Sequence, residues 1–226
     1  MEAVVQYQLP GSEFWDDYRK LWQKSMHPSV FQAPAFIRNL CQYKKSKIAI
    51  ITFKQENEIV GAAFFQKEKG VFRFISDQKT DHNFFVLHQS CTKEQLKRLF
   101  KAFLQTVREE NWALALNNMA SWADYWEVFQ NALKESSLFK VSFSYSVCPV
   151  LEAISPEALA SKLTKSRNTR YKKNRLQKEW GITFEALTGE EHLEEWITEF
   201  ANAHEQRWSA TNTPSGYRSK DRRAFL

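Results

Sequence analysis

Between Thr92 and Glu110 the chain carries Leu96, Leu99, Phe100, Phe103, Leu104 and Val107 at the three-and-four spacing of one helical face, behind a Thr92-x-x-Gln95 capping start. An apolar stripe of that width has to be covered, and the flanking segments read as its cover. KIAIITFK and IVGAAFFQK, separated by the polar turn QENE, have the pattern of a β-hairpin. VFRFI and FFVLH are further strand-like runs with the polar insert SDQKTDHN between them, and WALALN after the helix reads as a buried strand. Strand periods wrapped around one strong helix imply a mixed α/β domain. With 226 residues, 43% hydrophobic side chains, 18 Phe and 8 Trp, the chain has ample material for a packed core, which excludes a disordered chain.

The remaining elements of the first part follow the same logic. VVQYQL alternates like a short strand, and Trp15, Tyr18, Leu21 and Trp22 in SEFWDDYRKLWQK stand at helical spacing. Pro34 opens a second helix, PAFIRNLCQY, at a position where the first turn tolerates proline. Ser121 is read as the cap of a helix carrying Trp122, Tyr125, Trp126, Phe129 and Leu133, and FKVSFSYSVCPVL alternates over a long final strand. The expected order is β-α-α-β-β-β-α-β-α-β over residues 1–153.

Charge is distributed unevenly. SKLTKSRNTRYKKNRLQKEWG, residues 161–181, holds eight Lys or Arg and a single acid, Glu179, and without it the chain keeps 24 basic against 25 acidic side chains. The basic character therefore belongs to one segment, which argues against a surface evenly coated for DNA and for one local anion-facing element. From Ser155 and Pro156 a connecting helix is expected over 154–181, ended by Gly181, with charge on nearly every side and ITFEAL resuming as a strand.

A segment near the end repeats one near the start. LPGSEFWDDYRKLW from Leu9 and LTGEEHLEEWITEF from Leu187 align without a gap at an offset of 178, pairing Gly11 with Gly189, Trp15 with Leu193, Tyr18 with Trp196 and Trp22 with Phe200. Residues 182–226 thus read as the opening of a second, incomplete copy of the first domain.

Five stretches carry a resemblance to a known family: FQAPAFIRNL, the insert SDQKTDHNFFVL, the strand ending SVCPVLEAI, the segment SRNTRYKKNRLQKEWGITFEAL, and HEQRWSATNTPSGYRSKDRRAFL. Together they resemble the GNAT acyltransferase superfamily, in its CelD-like and FemAB-like branch with two GNAT-like domains in tandem. The resemblance implies an acyl-CoA N-acyltransferase fold, and transfer of an acyl or aminoacyl group from acyl-CoA, such as acetyl-CoA, or from aminoacyl-tRNA to an amine or hydroxyl. It places such chemistry in cell-envelope or polysaccharide synthesis, with a lipid-linked acceptor among the options, and it makes this chain the N-terminal part of a longer enzyme, inactive alone. Such enzymes work by positioning and by polarising the carbonyl, so no obligatory nucleophile is expected. The sequence departs from the family in its glycines. Positions 11, 61, 70, 181, 189 and 216 are never close together, and FFVLHQSC precedes the main helix where a pyrophosphate-binding loop would stand, so the first domain is not expected to bind CoA in the usual way.

Candidate site residues follow. Arg167, Arg170, Lys173 and Arg175 are assigned to an anionic donor or acceptor at the junction of the two domains, against the alternative of a solvated linker. His204 and Arg207 match the family's His-x-x-Arg-Trp-like segment, with His204 a candidate general base or a structural partner of acids across the domain boundary. Asp81, with His82 and Asn83, matches an acidic turn that relatives place beside the cleft, or is an ordinary polar turn. His27, His88 and His192 lack metal-ligand spacing, and no metal is expected. Cys41, Cys91 and Cys148, odd in number and in apolar surroundings, read as buried small hydrophobes. With neither a leader nor a long apolar run, the chain is expected in the cytoplasm or at the inner face of the membrane. Two readings from other classes stand beside the enzyme: an RNA-binding module using the basic stretch with Tyr171 and Trp180, and attachment of the same helix to an anionic membrane.

Overall fold

The apolar alternations of the first part assemble into a mixed sheet. In the computed structural model, which describes residues 1–44, 47–56, 58–77, 80–142, 155–164, 167–183 and 191–219, β1 (Glu2–Gln6) pairs antiparallel with β2 (Ile48–Gln55), and β2 with β3 (Glu58–Glu68). A two-residue turn, Lys69–Gly70, then reverses the chain into β4 (Val71–Phe74). Both turn residues have positive φ, 49° and 87°, the hand that matches strand twist in a tight hairpin. The sheet order is β1-β2-β3-β4-β6, and β4 and β6 (Ala113–Ala115) run parallel, joined through the helix α3 introduced below. The described residues thus form a mixed α/β fold, with five strands before the main helix. Of the strand-like run FFVLH only Val86–Leu87 becomes a strand, β5, which pairs with β3 at Gly61 and Ala62.

Helices cover both faces. Phe65 and Phe74 stand opposite each other across the hairpin, stack at 5.1 Å, and meet α3 (Lys93–Glu109) through Phe103, 6.1 Å from Phe65. Phe64, one residue away and so on the other face, lies under α1 (Ser12–Gln23), with Trp15 parallel at 6.1 Å and Tyr18 edge-on at 4.8 Å. Beside α1 lies α2 (Pro34–Tyr43), opened by Pro34 as expected, and beside α3 lies α4 (Trp126–Glu135). The α3 capping box is present in full, Thr92 Oγ1 accepting from Gln95 N and Gln95 Oε1 from Thr92 N. Cys41 is buried, which pushes its thiol up to about 12, whereas Cys91 is only half-buried and Cys148 lies outside the described residues.

Several expectations need correction. β6 is no buried strand: Ala113 is exposed, Leu114 and Ala115 are half-buried, and the burial of WALALN comes from Trp112, stacked on Phe72 at 4.1 Å. Ser121 does not cap the following helix, which starts five residues later. Residues 120–126 form successive turns, Ala123 N donating to Ala120 O and Trp126 N to Ala123 O. These turns sink Tyr125 into the core, where its hydroxyl accepts from Phe85 N, and leave Trp122 at the surface. Phe139 is 95% exposed and residues 139–142 have no regular structure; the rest of the expected final strand, 143–151, lies outside the described residues.

The chain divides into two compact units, Met1–Phe139 and Lys140–Leu226. In the second, the expected single connecting helix is two: α5 (Pro156–Thr164) and α6 (Arg167–Trp180). Gly181, at φ 62°, stops α6 by donating to Gln177 O while Ile182 N reaches back to Leu176 O, a glycine stop of the Schellman kind. Ile182 and Thr183 are not in a strand, and the remainder of ITFEAL is outside the described residues. The repeated segment does become a helix, α7 (Leu193–Trp208), but its packing differs from its counterpart: Trp15 and Tyr18 of α1 are buried, while the aligned Leu193 and Trp196 of α7 are about half exposed. What α7 buries is Ala201, against a 3-10 turn, Gly216–Arg218.

Candidate functional site

β4 and β5 both lie along β3, one after the other, and the described residues between them, 76–77 and 80–85, leave the sheet. The excursion is pinned to the chain just beyond β6: Asn83 N donates to Asn118 O at 2.9 Å, Asn83 Nδ2 to Asn117 O at 3.1 Å, and Asn118 Nδ2 to Thr80 O at 3.4 Å. Thr80 is buried and gives its hydroxyl proton to Asp77 Oδ1 at 2.9 Å. Along β4, from the Lys69 turn at its start to Ser76 and Asp77 beyond its carboxyl end, runs an open cavity of about 850 Å³ whose lining includes Lys44, Gln66, Arg73, Asp77, Asn83 and Asn117. Carboxyl ends of parallel strands beside a chain excursion are where open α/β sheets hold ligands.

Three side chains give this cavity its chemistry. Gln66 and Arg73 are direct cross-strand partners three residues either side of the Lys69–Gly70 turn, so their side chains share a face. Gln66 is only 3% exposed; its Nε2 donates to Glu68 Oε1 at 2.9 Å, and its Oε1 has no hydrogen-bond partner. Because a carboxylate only accepts, the bond to Glu68 fixes the amide orientation, and the unpartnered atom is an acceptor. Arg73 and Lys44 are half-buried, and among the described residues neither has a carboxylate partner. The cavity lining therefore carries two half-buried cations together with the carboxylates of Glu68 and Asp77, while Gln66 Oε1 is an unpartnered acceptor closed off from solvent.

Of the Asp81-His82-Asn83 turn, the structure brings only Asn83 to this cavity. Asp81 is exposed. His82 turns toward α2: its Nε2 lies 3.0 Å from Ser29 Oγ, its ring meets Phe31 and Phe84 edge-on, and burial lowers its imidazole below the ordinary value, opposed by the Asp81 charge. His27 packs against Phe84 and Trp122 and accepts from Asp124 N. No group of three or more His, Cys, Asp or Glu among the described residues is placed to hold a metal. At the α3 N-terminus Ser90 N is taken by His88 Nδ1, Cys91 N by His88 O, and Thr92 N and Gln95 N by the capping box. The approach to the helix, FFVLHQSC, contains no glycine to let a pyrophosphate lie against the backbone.

In the second unit, every residue of α6 is exposed. Arg167, Arg170 and Lys173, three apart, follow one stripe of the helix and have no acidic partner among the described residues. Arg175 lies on another side and is held by Glu179 at 2.8 Å, so the four assigned cations act as three free charges and one ion pair. Among the described residues His204 pairs with no acid: its Nδ1 lies 2.9 Å from the buried Ser215 hydroxyl, which also accepts from Tyr217 N, and its ring stacks on Trp208 at 5.8 Å and meets Tyr217 edge-on at 5.0 Å. It joins α7 to the 3-10 turn, while Arg207 is exposed. No helix among the described residues is long and apolar enough to cross a membrane.

Neither Gln66 nor Arg73 stood out in the sequence, although a signal was present: a polar residue in each of two apolar strands, placed symmetrically about Lys69–Gly70. Compared with protein-family models, with curated proteins and with solved structures, the chain finds no match.

Proposed function

We propose that this chain takes part in acyl-group transfer, with the cavity along β4 receiving the acceptor amine or hydroxyl; α6, in the other unit, is a separate element whose cations suit an anionic ligand. The observation that carries the reading is the parallel β4-α3-β6 crossover, with a polar cavity running along β4 past its carboxyl end. It agrees with the GNAT-like architecture that the sequence resembles. In transfer, the acceptor nitrogen or oxygen attacks the acyl carbonyl carbon, the bond to the thioester sulfur or to the tRNA ribose oxygen breaks, and the acceptor loses a proton. Asp77, whose Oδ1 accepts from Thr80, is the carboxylate of the lining assigned to take that proton, since the other, Glu68, already accepts from Gln66 Nε2. The donor of such a transfer is an acyl-CoA or an aminoacyl-tRNA.

The test is transfer of a labelled acyl group from acetyl-CoA or an aminoacyl-tRNA to a panel of amines and alcohols by the protein. Asp77→Asn is expected to slow transfer by about two orders of magnitude, the usual worth of a positioned general base. Absence of transfer from both donors to every acceptor refutes the reading. A second reading rests on α6 alone: its charge lies nearly all round, and Tyr171 and Trp180 are exposed, a composition that binds a single-stranded polyanion without catalysis. Salt-dependent binding of tRNA in the absence of any transfer would favour it.

A further inference from the structure

We infer that the cavity along β4 binds an oxyanion, a carboxylate or phosphate group, through Arg73 and Lys44. Phe72 and Phe74 turn to the α3 face of the sheet, where they meet Trp112 and Phe65, so Arg73 between them stands on the opposite face with its cross-strand partner Gln66. Lys44 comes to the same cavity as the C-cap of α2, its backbone held by the bond from its N to Leu40 O at 2.9 Å. Both cations are half-buried and keep accessible surface in the lining, so a ligand can reach them. The carboxylates of that lining are engaged elsewhere. Glu68, diagonal to Arg73 in the hairpin, accepts from Gln66 Nε2 at 2.9 Å, and Asp77 accepts from Thr80 Oγ1 at 2.9 Å. Neither forms an ion pair with Arg73 or Lys44. A guanidinium on a rigid strand, with its fork of N–H donors unused, is the group that recognises a carboxylate or phosphate through two parallel bonds, and the lysine adds a second positive charge. A simple cationic amine is excluded from this pair by like charge. The inference deepens the acyl-transfer reading by giving the acceptor an anionic group, and rests on it only for that; the binding stands without it.

The probes are acetate and inorganic phosphate, each titrated at constant ionic strength into the nitrogen-15-labelled protein while the backbone amides and Arg73 Nε are followed by NMR. At least one of them is expected to shift Arg73, Ser76 and Asn83 together, saturating with a Kd of about 10 mM or tighter. Tighter binding of acetate assigns the site to a carboxylate, and tighter binding of phosphate to a phosphoryl group. Arg73→Gln should weaken the binding at least about tenfold. Arg73→Lys, which keeps the charge and loses the planar fork, should weaken it by about threefold. Should a variant fail to fold, the shifts of the unaltered protein decide the matter. Shifts confined to α6, or none that saturate along β4 at about 100 mM of either anion, overturn the inference. Oxyanion binding along β4 with no acyl transfer from either donor would sink the transfer reading alone. Transfer to uncharged amines, with no oxyanion shift along β4, would sink this inference alone.

Discussion

Replacing Gln66 with methionine should leave the protein as stable as before or more so, although the residue is 97% buried in the middle of a strand. The side chain is 3% exposed, and its carbonyl oxygen is shut away from water with no donor. Removing an unsatisfied buried acceptor relieves a penalty of about 1–3 kcal/mol, while losing the amide bond to the exposed Glu68 costs about 0.5–1.5 kcal/mol. Methionine is close to glutamine in length and adapts its shape to the site, so no large cavity term enters. The balance is a gain of about 1 kcal/mol, equivalent to a rise of about 3–4 °C in Tm for a unit of this size. Urea unfolding followed by near-ultraviolet circular dichroism reads the difference directly, the slope with denaturant confirming that both proteins unfold alike. A destabilisation of more than about 1.5 kcal/mol would refute the reasoning, because it would mean that Oε1 has a partner in the free protein.

Further outcomes follow from single observations. Tyr125→Phe leaves Phe85 N without its acceptor in the core and should cost about 1–3 kcal/mol in the same urea experiment. At Gly61 an added Cβ would stand 2.9 Å from Leu87 Cδ2 and 3.0 Å from Phe53 Cδ2, so Gly61→Ala should lose about 1–3 kcal/mol. Burial lowers the folded-state pKa of His82, so its neutral form adds stability above the ordinary imidazole range, and that stability is lost as pH falls through it; His82→Gln should flatten the fall in Tm between about pH 7 and 5. Changing Arg167, Arg170 and Lys173 together to Gln should weaken binding of a polyanion such as tRNA at least about tenfold and reduce its salt slope, with Tm unchanged because the whole helix is exposed; unchanged affinity would reduce α6 to a solvated linker.

The parts of the fold legible in the sequence were those where local pattern and tertiary packing agree. The α3 stripe and its capping box, the β2-β3 hairpin, Pro34 at the start of α2 and Gly181 at the end of α6 each follow from short-range chemistry that the core does not override. The Ser121 start failed because Tyr125 has a stronger claim than helix periodicity: its hydroxyl satisfies Phe85 N in the core, and the turns that place it there delay the helix to Trp126. The site was half legible. The insert SDQKTDHN was expected beside a cleft, yet the turn gives the cavity its Asn83 while Asp81 faces solvent. Gln66 and Arg73 come together only through the register set by Lys69–Gly70, and that Gln66 Oε1 lacks a donor depends on packing that no local pattern encodes.

The claim that the cavity along β4 receives the acceptor is tested most directly by the rate of labelled acyl transfer in Asp77→Asn beside the unaltered protein. The account predicts a fall of about two orders of magnitude with the melting temperature nearly unchanged. An unchanged rate would contradict it.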